Sequence, residues 1–171
     1  MSKAVAILME EHQKILKVIQ ALLKQCDMVE KKGLVNLDFF AKAIDFIKNY
    51  ADKFHHAKEE DILFVELNKD SAAMHCNPIQ QMLYEHDLGR NCVKELEIGV
   101  KKNDPAKVLN GGRGYVNLLQ QHIYKEDNIL YPMADEALNN KAKNEILAKF
   151  EEVAKKYSET NKKYELFLND L

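Results

Sequence analysis

Apolar residues recur at intervals of three and four, rather than two, along long uninterrupted stretches of this 171-residue chain. Side chains three or four positions apart share one face of an α-helix, whereas a half-buried strand would need apolar residues at every second position. Only six glycines and three prolines are available to break these stretches. The spacing therefore predicts an all-α protein.

Four long helices are predicted from the apolar stripes and from the residues that end helices. The first covers roughly residues 2–31 and ends near Gly33, since glycine commonly follows the last helical turn. The other three contain the apolar stripes 40–63, 79–100 and 115–133. The "GGRG" segment before the fourth helix is predicted to be a loop. Short connections favour antiparallel neighbours, so the expected architecture is an up-down-up-down antiparallel four-helix bundle.

The C-terminal segment, residues 137–171, is rich in lysine and glutamate but keeps an apolar seam that includes Leu147, Phe150 and Tyr157. Such a seam predicts one additional helix, packed either on the bundle or at an interface between two copies of the chain. We therefore expect a bundle domain over residues 1–136, followed by this C-terminal helix, in a monomer or a homodimer.

Charge and cysteine content exclude several classes of protein. The net charge of -2, from 25 basic and 27 acidic side chains, provides no field that would attract nucleic acid or an anionic membrane. Three cysteines without a Cys-x-x-Cys pair indicate neither a disulfide framework nor a thiolate metal site. The N-terminal apolar run is too short for a signal peptide or a membrane span. The expected protein is soluble and cytoplasmic.

Two segments of the chain repeat each other. "HHAKEEDILF", from His55, and "HIYKEDNILY", from His122, share five identical residues, which are His, Lys, Glu, Ile and Leu. In each segment a glutamate follows the first histidine by four positions, which places both side chains on one helical face. A single histidine lies on the preceding helix in each half, in "EEHQ" and "YEHD". The sequence therefore predicts two equivalent helix pairs related by a pseudo-two-fold axis.

Six ionisable residues of this repeat fall within stripes that are otherwise apolar. They are His12, His55, Glu59, His86, His122 and Glu126. A lone histidine there would be a hydrogen-bonded core residue, but two carboxylates in a low-dielectric interior must be paired, protonated or bound to metal. No arginine or lysine of the stripes is placed to neutralise both glutamates. Four histidines and two glutamates in a duplicated pattern therefore predict a metal site.

The second helix offers two His-x-x-x-Glu pairs, and periodicity decides between them. His55 and Glu59 continue the apolar stripe and align with the second copy, whereas His56 and Glu60 lie on a polar face. The first pair is therefore predicted to bind the metal. The second pair is assigned to solvent or to a position behind the ligands, with the reversed register as the alternative. His75 is predicted to be a loop histidine.

The type of metal follows from the donor atoms. Nitrogen and carboxylate donors without thiolate suit iron or manganese, although imidazole also binds zinc, copper and nickel. Six ligands are too many for one tetrahedral zinc ion. If both glutamates and one oxide or hydroxide bridge two octahedral ions, the four histidines leave two coordination positions open. The residues thus predict a reactive dinuclear centre rather than a closed structural site.

Over about residues 5–135 the sequence resembles the hemerythrin-like proteins of the HHE cation-binding type. The resemblance is carried by His12, by "HHAKEEDILF", by "EHD" at His86 and by "HIYKEDNILYP". It implies a four-helix bundle with a non-haem di-iron centre, bridged by carboxylates and by oxide or hydroxide and held by the six residues above. The oxygen-carrying hemerythrins have a second histidine four residues after the first on the third helix, where this chain has Arg90. Their last ligand is an aspartate five residues after its histidine, whereas the last carboxylate here is Glu126, four residues after His122.

The resemblance implies that the iron pair binds or senses O2 or NO. Alternatives are an enzyme that reduces NO or peroxide with electrons from a redox partner protein, and a labile iron donor for iron-centre repair. Ferritin-like proteins are disfavoured because their signature places glutamate before histidine. Near the centre, Gly89 is predicted to leave room for a diatomic ligand or to permit a tight helix contact. Tyr115 is predicted to donate a hydrogen bond to the centre or to fill the core.

Overall fold

The computed structural model describes residues 1–69 and 77–171, so the predicted loop histidine His75 lies outside the described residues, as does Cys76. In these two stretches every regular element is a helix, which confirms the all-α prediction. The helices are α1 (Lys3–Lys32), α2 (residues 37–67), α3 (Ile79–Lys102), α4 (residues 105–137), α5 (Asn140–Lys156) and α6 (Ser158–Asn169). None of these helices is both long enough and apolar enough to cross a membrane.

Helices α2 and α4 change their winding at the repeated histidine and glutamate segments. The winding is π-helical over Ile47–His56 and Glu59–Leu63 in α2, and over Glu126–Leu130 in α4. A π-helix has i to i+5 hydrogen bonds and more residues per turn than an α-helix, and such turns are frequent at functional sites. The second and third stretches occupy equivalent positions in the two repeats, so the internal repetition extends to the backbone. The apolar spacing did not predict this change.

Capping residues explain where helices begin and end. The Ser2 hydroxyl accepts a hydrogen bond from the Val5 amide at the start of α1. Asp104 caps α4 in the same way, and a proline occupies the first turn. Gly33 ends α1 with a φ of 67°, in the left-handed region that favours glycine. The predicted limits of the first helix therefore agree with the structure to about one residue.

The four long helices, α1 to α4, pack in a ring in which each contacts chiefly two of the others. Two apolar clusters fill the interior, and α1, for example, contributes Leu8 to one and Ile15 to the other. His12 lies between these two residues in the chain. On α3 the clusters follow one another in the same order and on α2 and α4 in the reverse order, so the predicted ligands form a layer between the clusters. This ionisable layer consists of His12, His55, Glu59, His86, His122 and Glu126.

The "GGRG" segment is part of α4, so the predicted loop is wrong. A Cβ atom on Gly111 would lie 2.8 Å from the carbonyl oxygen of Cys92 and nearer still to the amide nitrogen of Leu96, both on α3. A Cβ atom on Gly112 would meet the Cys26 sulfur at 2.7 Å. The glycines therefore let α4 approach its neighbours closely. Sequence alone did not distinguish this use of glycine from its use in a turn.

Replacing Gly111 by alanine is expected to lower the free energy of unfolding by about 1–3 kcal/mol, because the methyl group would push α4 away from α3. Gly89→Ala in α3 is the matched control, since its Cβ would meet only side-chain atoms, at 3.6 Å or more. That variant should be neutral or gain up to about 1 kcal/mol from helix propensity. Urea denaturation measures both changes, and equal effects would contradict the close approach.

The C-terminal segment forms two helices, α5 and α6, so the single predicted helix is wrong. The break falls at Tyr157, where the backbone leaves the helical conformation with φ -102° and ψ 13°. Phe150 of α5 is buried in one apolar cluster, and Tyr164 and Leu168 of α6 are buried in the other. The segment therefore covers both halves of the core.

Candidate metal centre

The structure brings all six predicted ligands together in the ionisable layer, where each is at most 2% exposed. Helices α1 and α3 provide one histidine each, and α2 and α4 provide one histidine and one glutamate each. The first donor group is His12, His55, Glu59 and Glu126, whose ligand atoms lie within 4.8 Å of one another. The second donor group, within the same limit, is His56, His86 and His122.

Glu126 lies between the two donor groups. Its Oε2 is 3.3 Å from Nε2 of His12 in the first group. Its Oε1 is 3.2 Å from Nε2 of His122 and 3.8 Å from Nε2 of His86, both in the second group. A carboxylate with one oxygen toward each group has the arrangement needed to bridge two ions.

Glu59 approaches both groups from α2. Its Oε2 is 3.7 Å from Nε2 of His55 and 3.5 Å from Nε2 of His86. Its Oε1 accepts a hydrogen bond of 2.5 Å from the Tyr131 hydroxyl. Burial and the neighbouring Glu59 raise the pKa of Tyr131 well above its usual range, so this hydroxyl stays protonated and can donate. Tyr131 was not predicted from the sequence to be part of the site.

A carboxylate lies behind each histidine of the ionisable layer and accepts a hydrogen bond from its Nδ1. The pairs are His12–Asp127 at 2.7 Å, His55–Glu11 at 3.0 Å, His86–Glu60 at 2.6 Å and His122–Glu85 at 2.8 Å. With the proton on Nδ1, the Nε2 atom of a neutral imidazole has a free lone pair. All four Nε2 atoms face the layer glutamates. Metal-binding histidines are oriented in this way.

These outer carboxylates follow the same internal repeat as the ligands. Glu11 and Glu85 directly precede the single histidines in "EEHQ" and "YEHD", and Glu60 and Asp127 directly follow the two layer glutamates. Of these four carboxylates, only Glu60 was predicted from the sequence as a candidate for a position behind the ligands. An acidic residue beside each ligand, repeated in both halves, was the signal that would have identified the other three.

The lysine shared by the two repeats has an equivalent partner in each half. Lys58 forms an ion pair with Glu11, and Lys125 forms one with Glu85. Lys58 is fully buried, 3.6 Å from the centroid of the Phe54 ring, and burial lowers its pKa. The Lys125 side chain is 34% exposed. The two lysines therefore neutralise outer carboxylates rather than the layer glutamates. The sequence also placed no lysine of the apolar stripes where it could neutralise both layer glutamates.

The aromatic residue that ends each repeat packs on a histidine of the layer. Phe64 stacks on His86 with ring centroids 6.1 Å apart, and Tyr131 stacks on His12 with centroids 5.5 Å apart. Only Tyr131 carries a hydroxyl group. The two halves of the layer therefore have similar packing but different polarity.

Carboxylate oxygens without hydrogen-bond donors show that the layer fits a metal. Among residues 1–69 and 77–171, Oε2 of Glu59 and both carboxylate oxygens of Glu126 are buried and accept no hydrogen bond. Buried carboxylates without donors are costly. Cations between these oxygens and the Nε2 lone pairs would compensate them. Nitrogen and oxygen donors, with no thiolate of the described residues in either donor group, suit iron.

Without a metal, protons offset part of the buried negative charge. Burial opposes the charge on His12, but the hydrogen bond to Asp127 and the adjacent Glu126 carboxylate outweigh burial and raise its pKa to about 10. The pKa of His86 is also raised to about 10, since the nearby carboxylates of Glu126 and Glu60 outweigh burial there as well. Burial and the charge of Glu126 raise the pKa of Glu59 well above its usual range. Metal ions would therefore displace protons from the layer.

His56 does not face solvent, contrary to the first of the two positions predicted for it. It is 7% exposed, belongs to the second donor group, and stacks on His86 with ring centroids 3.8 Å apart. The π-helical winding of Ile47–His56 explains this, because more residues per turn leave a smaller angle between neighbouring side chains. His55 and His56 can then both face the layer. Glu60 belongs to neither donor group, which disfavours the reversed register.

A cavity of about 380 Å³ opens beside the second donor group, between α2, α3 and α4. Gly89 lines it, and a Cβ atom there would lie 3.6 Å from the Tyr115 ring and 3.7 Å from Leu118. The tight helix contact considered for Gly89 is therefore wrong, and the glycine adds free space beside His86. The Tyr115 hydroxyl is buried and makes no hydrogen bond to any described residue. Tyr115 thus lines the cavity without a hydrogen bond to the layer.

Comparison with known proteins identifies relatives with metal-related functions. The family model described as the hemerythrin HHE cation binding domain matches residues 3–134. Two curated relatives are named iron-sulfur cluster repair protein YtfE, one from Pectobacterium carotovorum subsp. carotovorum and one from Pectobacterium atrosepticum. Each is 36% identical over 88 residues, a match that covers 47% of this chain and 40% of the relative. The chain therefore matches less than half the length of these relatives. No solved structure matches it.

Proposed function

The chain belongs to the hemerythrin HHE cation binding domain family, and on this premise we propose that its ionisable layer holds two iron ions that bind or sense O2 or NO. The four long helices then form the up-down-up-down bundle expected from the sequence. His12 and His55 would hold one ion, His86 and His122 would hold the other, and Glu59 and Glu126 would contribute to holding both. The observation that carries this proposal is Glu126, which directs one oxygen toward each donor group without a hydrogen bond to any described residue.

When bound, the iron pair would supply electrons and open coordination positions for a diatomic ligand. The residues of the chain prepare the site for it. The outer carboxylates hold protons on Nδ1, so that four Nε2 lone pairs face the layer. The Tyr131 hydroxyl donates to Glu59 and orients that carboxylate. The two apolar clusters exclude water on either side, and the cavity reaches the second donor group.

An anaerobic titration of the reduced, iron-loaded protein with O2 and with NO, followed in the visible and near ultraviolet, tests this function. A stable adduct that releases O2 under vacuum supports a binding or sensing protein. Rapid irreversible oxidation, with turnover on added peroxide or NO, would instead indicate a di-iron oxidoreductase. Less than about one iron per chain after reconstitution would contradict the dinuclear centre itself.

Iron donation for the repair of iron centres is the second candidate, favoured by the names of the two relatives. Incubation of the iron-loaded protein with a ferrous chelator separates it from the first function. A donor should lose its iron rapidly and completely, and should transfer it to a metal-free iron-sulfur protein. A sensor should retain its iron through repeated cycles of ligand binding and release.

A further inference from the structure

His56 is a nitrogen donor of the second donor group to which the proposed function assigns no role. Its ligand atom lies within 4.8 Å of those of His86 and His122. Its Nδ1 is 3.4 Å from a carboxylate oxygen of Asp52. Arg90 donates two hydrogen bonds to that oxygen, at 2.7 and 3.0 Å. The imidazole is therefore held from behind by an anchored carboxylate, as the four layer histidines are.

The contact with Asp52 determines which nitrogen of His56 is available. A proton on Nδ1 is donated to the carboxylate, so Nε2 of the neutral ring keeps its lone pair. The residue that matches His56 in the second repeat is Ile123, which is apolar and buried. Among residues 1–69 and 77–171, therefore, only the second donor group has a third imidazole, and the internal symmetry of the site is broken at this position.

The ring orientation of His56 limits what it can bind. Its plane is 11° from that of His86, and parallel rings direct their in-plane lone pairs side by side rather than at one point. A tilt of the His56 ring out of this stack would direct its Nε2 toward the point that His86 and His122 share. His56 would then have two positions, the stacked one that the structure shows and one directed at an ion.

The position of His56 determines whether an ion in the second donor group could be reached from the cavity. His56, His86 and His122 all line it, together with Gly89, whose lack of a side chain leaves space beside His86. An ion held by His86 and His122 would face this space. When His56 is stacked, the ion can be reached from the cavity. When His56 is directed at the ion, its ring blocks access to the ion from the cavity.

We propose that His56 is an exchangeable ligand of the ion held by His86 and His122. Its Nε2 fills the coordination position that faces the cavity, and it yields this position to a small anion or a diatomic ligand by stacking on His86. The inference rests on the proposed function and deepens it. The centre then has one coordination position permanently open, rather than the two expected from four histidines.

The number of metal-bound imidazoles tests this inference directly. Cobalt(II) suits the same donors as iron(II) and gives strongly shifted proton NMR signals for the Nδ1–H of each bound histidine. The cobalt-loaded protein should show five such exchangeable signals, and His56→Phe should show four. Phenylalanine keeps a ring that can stack on His86 but has no nitrogen. Circular dichroism and cobalt content establish that the variant is folded and loaded.

Azide binding to the oxidised, iron-loaded protein tests the exchange. If His56 occupies the position about nine-tenths of the time, its removal should tighten azide binding about tenfold. His56→Gln serves as a second variant should His56→Phe fail to fold. Val93→Ile is the matched control, because it narrows the same cavity without changing a nitrogen donor. It should leave the azide affinity within about threefold of the unchanged protein.

The outcomes separate this inference from the function on which it rests. Four shifted signals in both proteins, with unchanged azide affinity in His56→Phe, would overturn the role of His56 and leave the dinuclear centre intact. No shifted signals in either protein would overturn the metal centre itself. The expected result is five shifted signals in the unchanged protein, four in His56→Phe, and tighter azide binding in the variant.

Discussion

Replacing Glu126 by glutamine is expected to reduce the iron bound per chain from about two ions to less than one. The wild-type carboxylate places one oxygen 3.3 Å from Nε2 of His12 and the other 3.2 Å from Nε2 of His122. Glutamine keeps the volume of the side chain but replaces one oxygen by an NH2 group, which donates and cannot bind a metal. The substitution therefore leaves one oxygen where two faced the two donor groups, so the side chain can no longer bridge two ions. Iron analysis after reconstitution and desalting measures the effect.

Glu66→Gln is the matched control for this loss of iron. Glu66 is 7% exposed and lies outside both donor groups, and it pairs with Lys69, two residues beyond the end of α2. Its replacement also removes a buried carboxylate but should leave about two ions bound. If Glu126→Gln retained the iron content of the control, a ligand shared by two ions would be the wrong assignment.

Replacing Glu11 by alanine is expected to lower the free energy of unfolding of the metal-free protein by about 3–5 kcal/mol. Glu11 is the partner of Lys58, which is fully buried against the Phe54 ring. Without Glu11, the ammonium group would remain in the core without a counter-charge or would have to lose its proton. Either outcome destabilises the folded state, because burial already lowers the pKa of Lys58.

Glu85→Ala tests the same position in the second repeat and should cost less stability. Its partner Lys125 is 34% exposed and can return to solvent when the carboxylate is lost. Both variants remove a hydrogen bond from a layer histidine, at His55 for Glu11 and at His122 for Glu85. Both should therefore weaken metal binding about 10- to 100-fold.

Urea denaturation of the metal-free variants measures the stability difference, and competition with a chelator measures metal affinity. A double variant, Glu11→Leu with Lys58→Met, should recover most of the stability lost in Glu11→Ala, because it leaves no unpaired charge. It should not recover the metal affinity, since His55 still lacks its carboxylate. Equal stability losses for Glu11→Ala and Glu85→Ala would contradict the role given to burial.

The helical fold was predictable because its signals are local. Apolar spacing at three and four, the glycine that ends α1 and the scarcity of other breaks act within a few residues of one another. The "GGRG" segment was misread because its glycines permit the close approach of α3, which lies beyond this local range. The break at Tyr157 has no glycine or proline to mark it, so one helix was expected where two are formed.

The six residues of the ionisable layer were predictable for a different reason. Polar side chains at buried positions of an apolar stripe are conspicuous. Their repetition in two halves indicated a shared role. The structure brings the six together, while their binding of iron remains a prediction. The repeat contained more than was read from it, since Glu11, Glu85 and Asp127 follow the same symmetry.

The sequence by itself determined the helices, the apolar stripes and the ionisable residues within them, because helical periodicity relates close neighbours in the chain. Only the tertiary structure decided which carboxylate stands behind which histidine, such as Asp127 behind His12, 115 positions away. It also decided the π-helical winding that directs the His56 side chain toward the second donor group. Such features depend on how helices distant in sequence pack, and packing is not encoded in the spacing of any single helix.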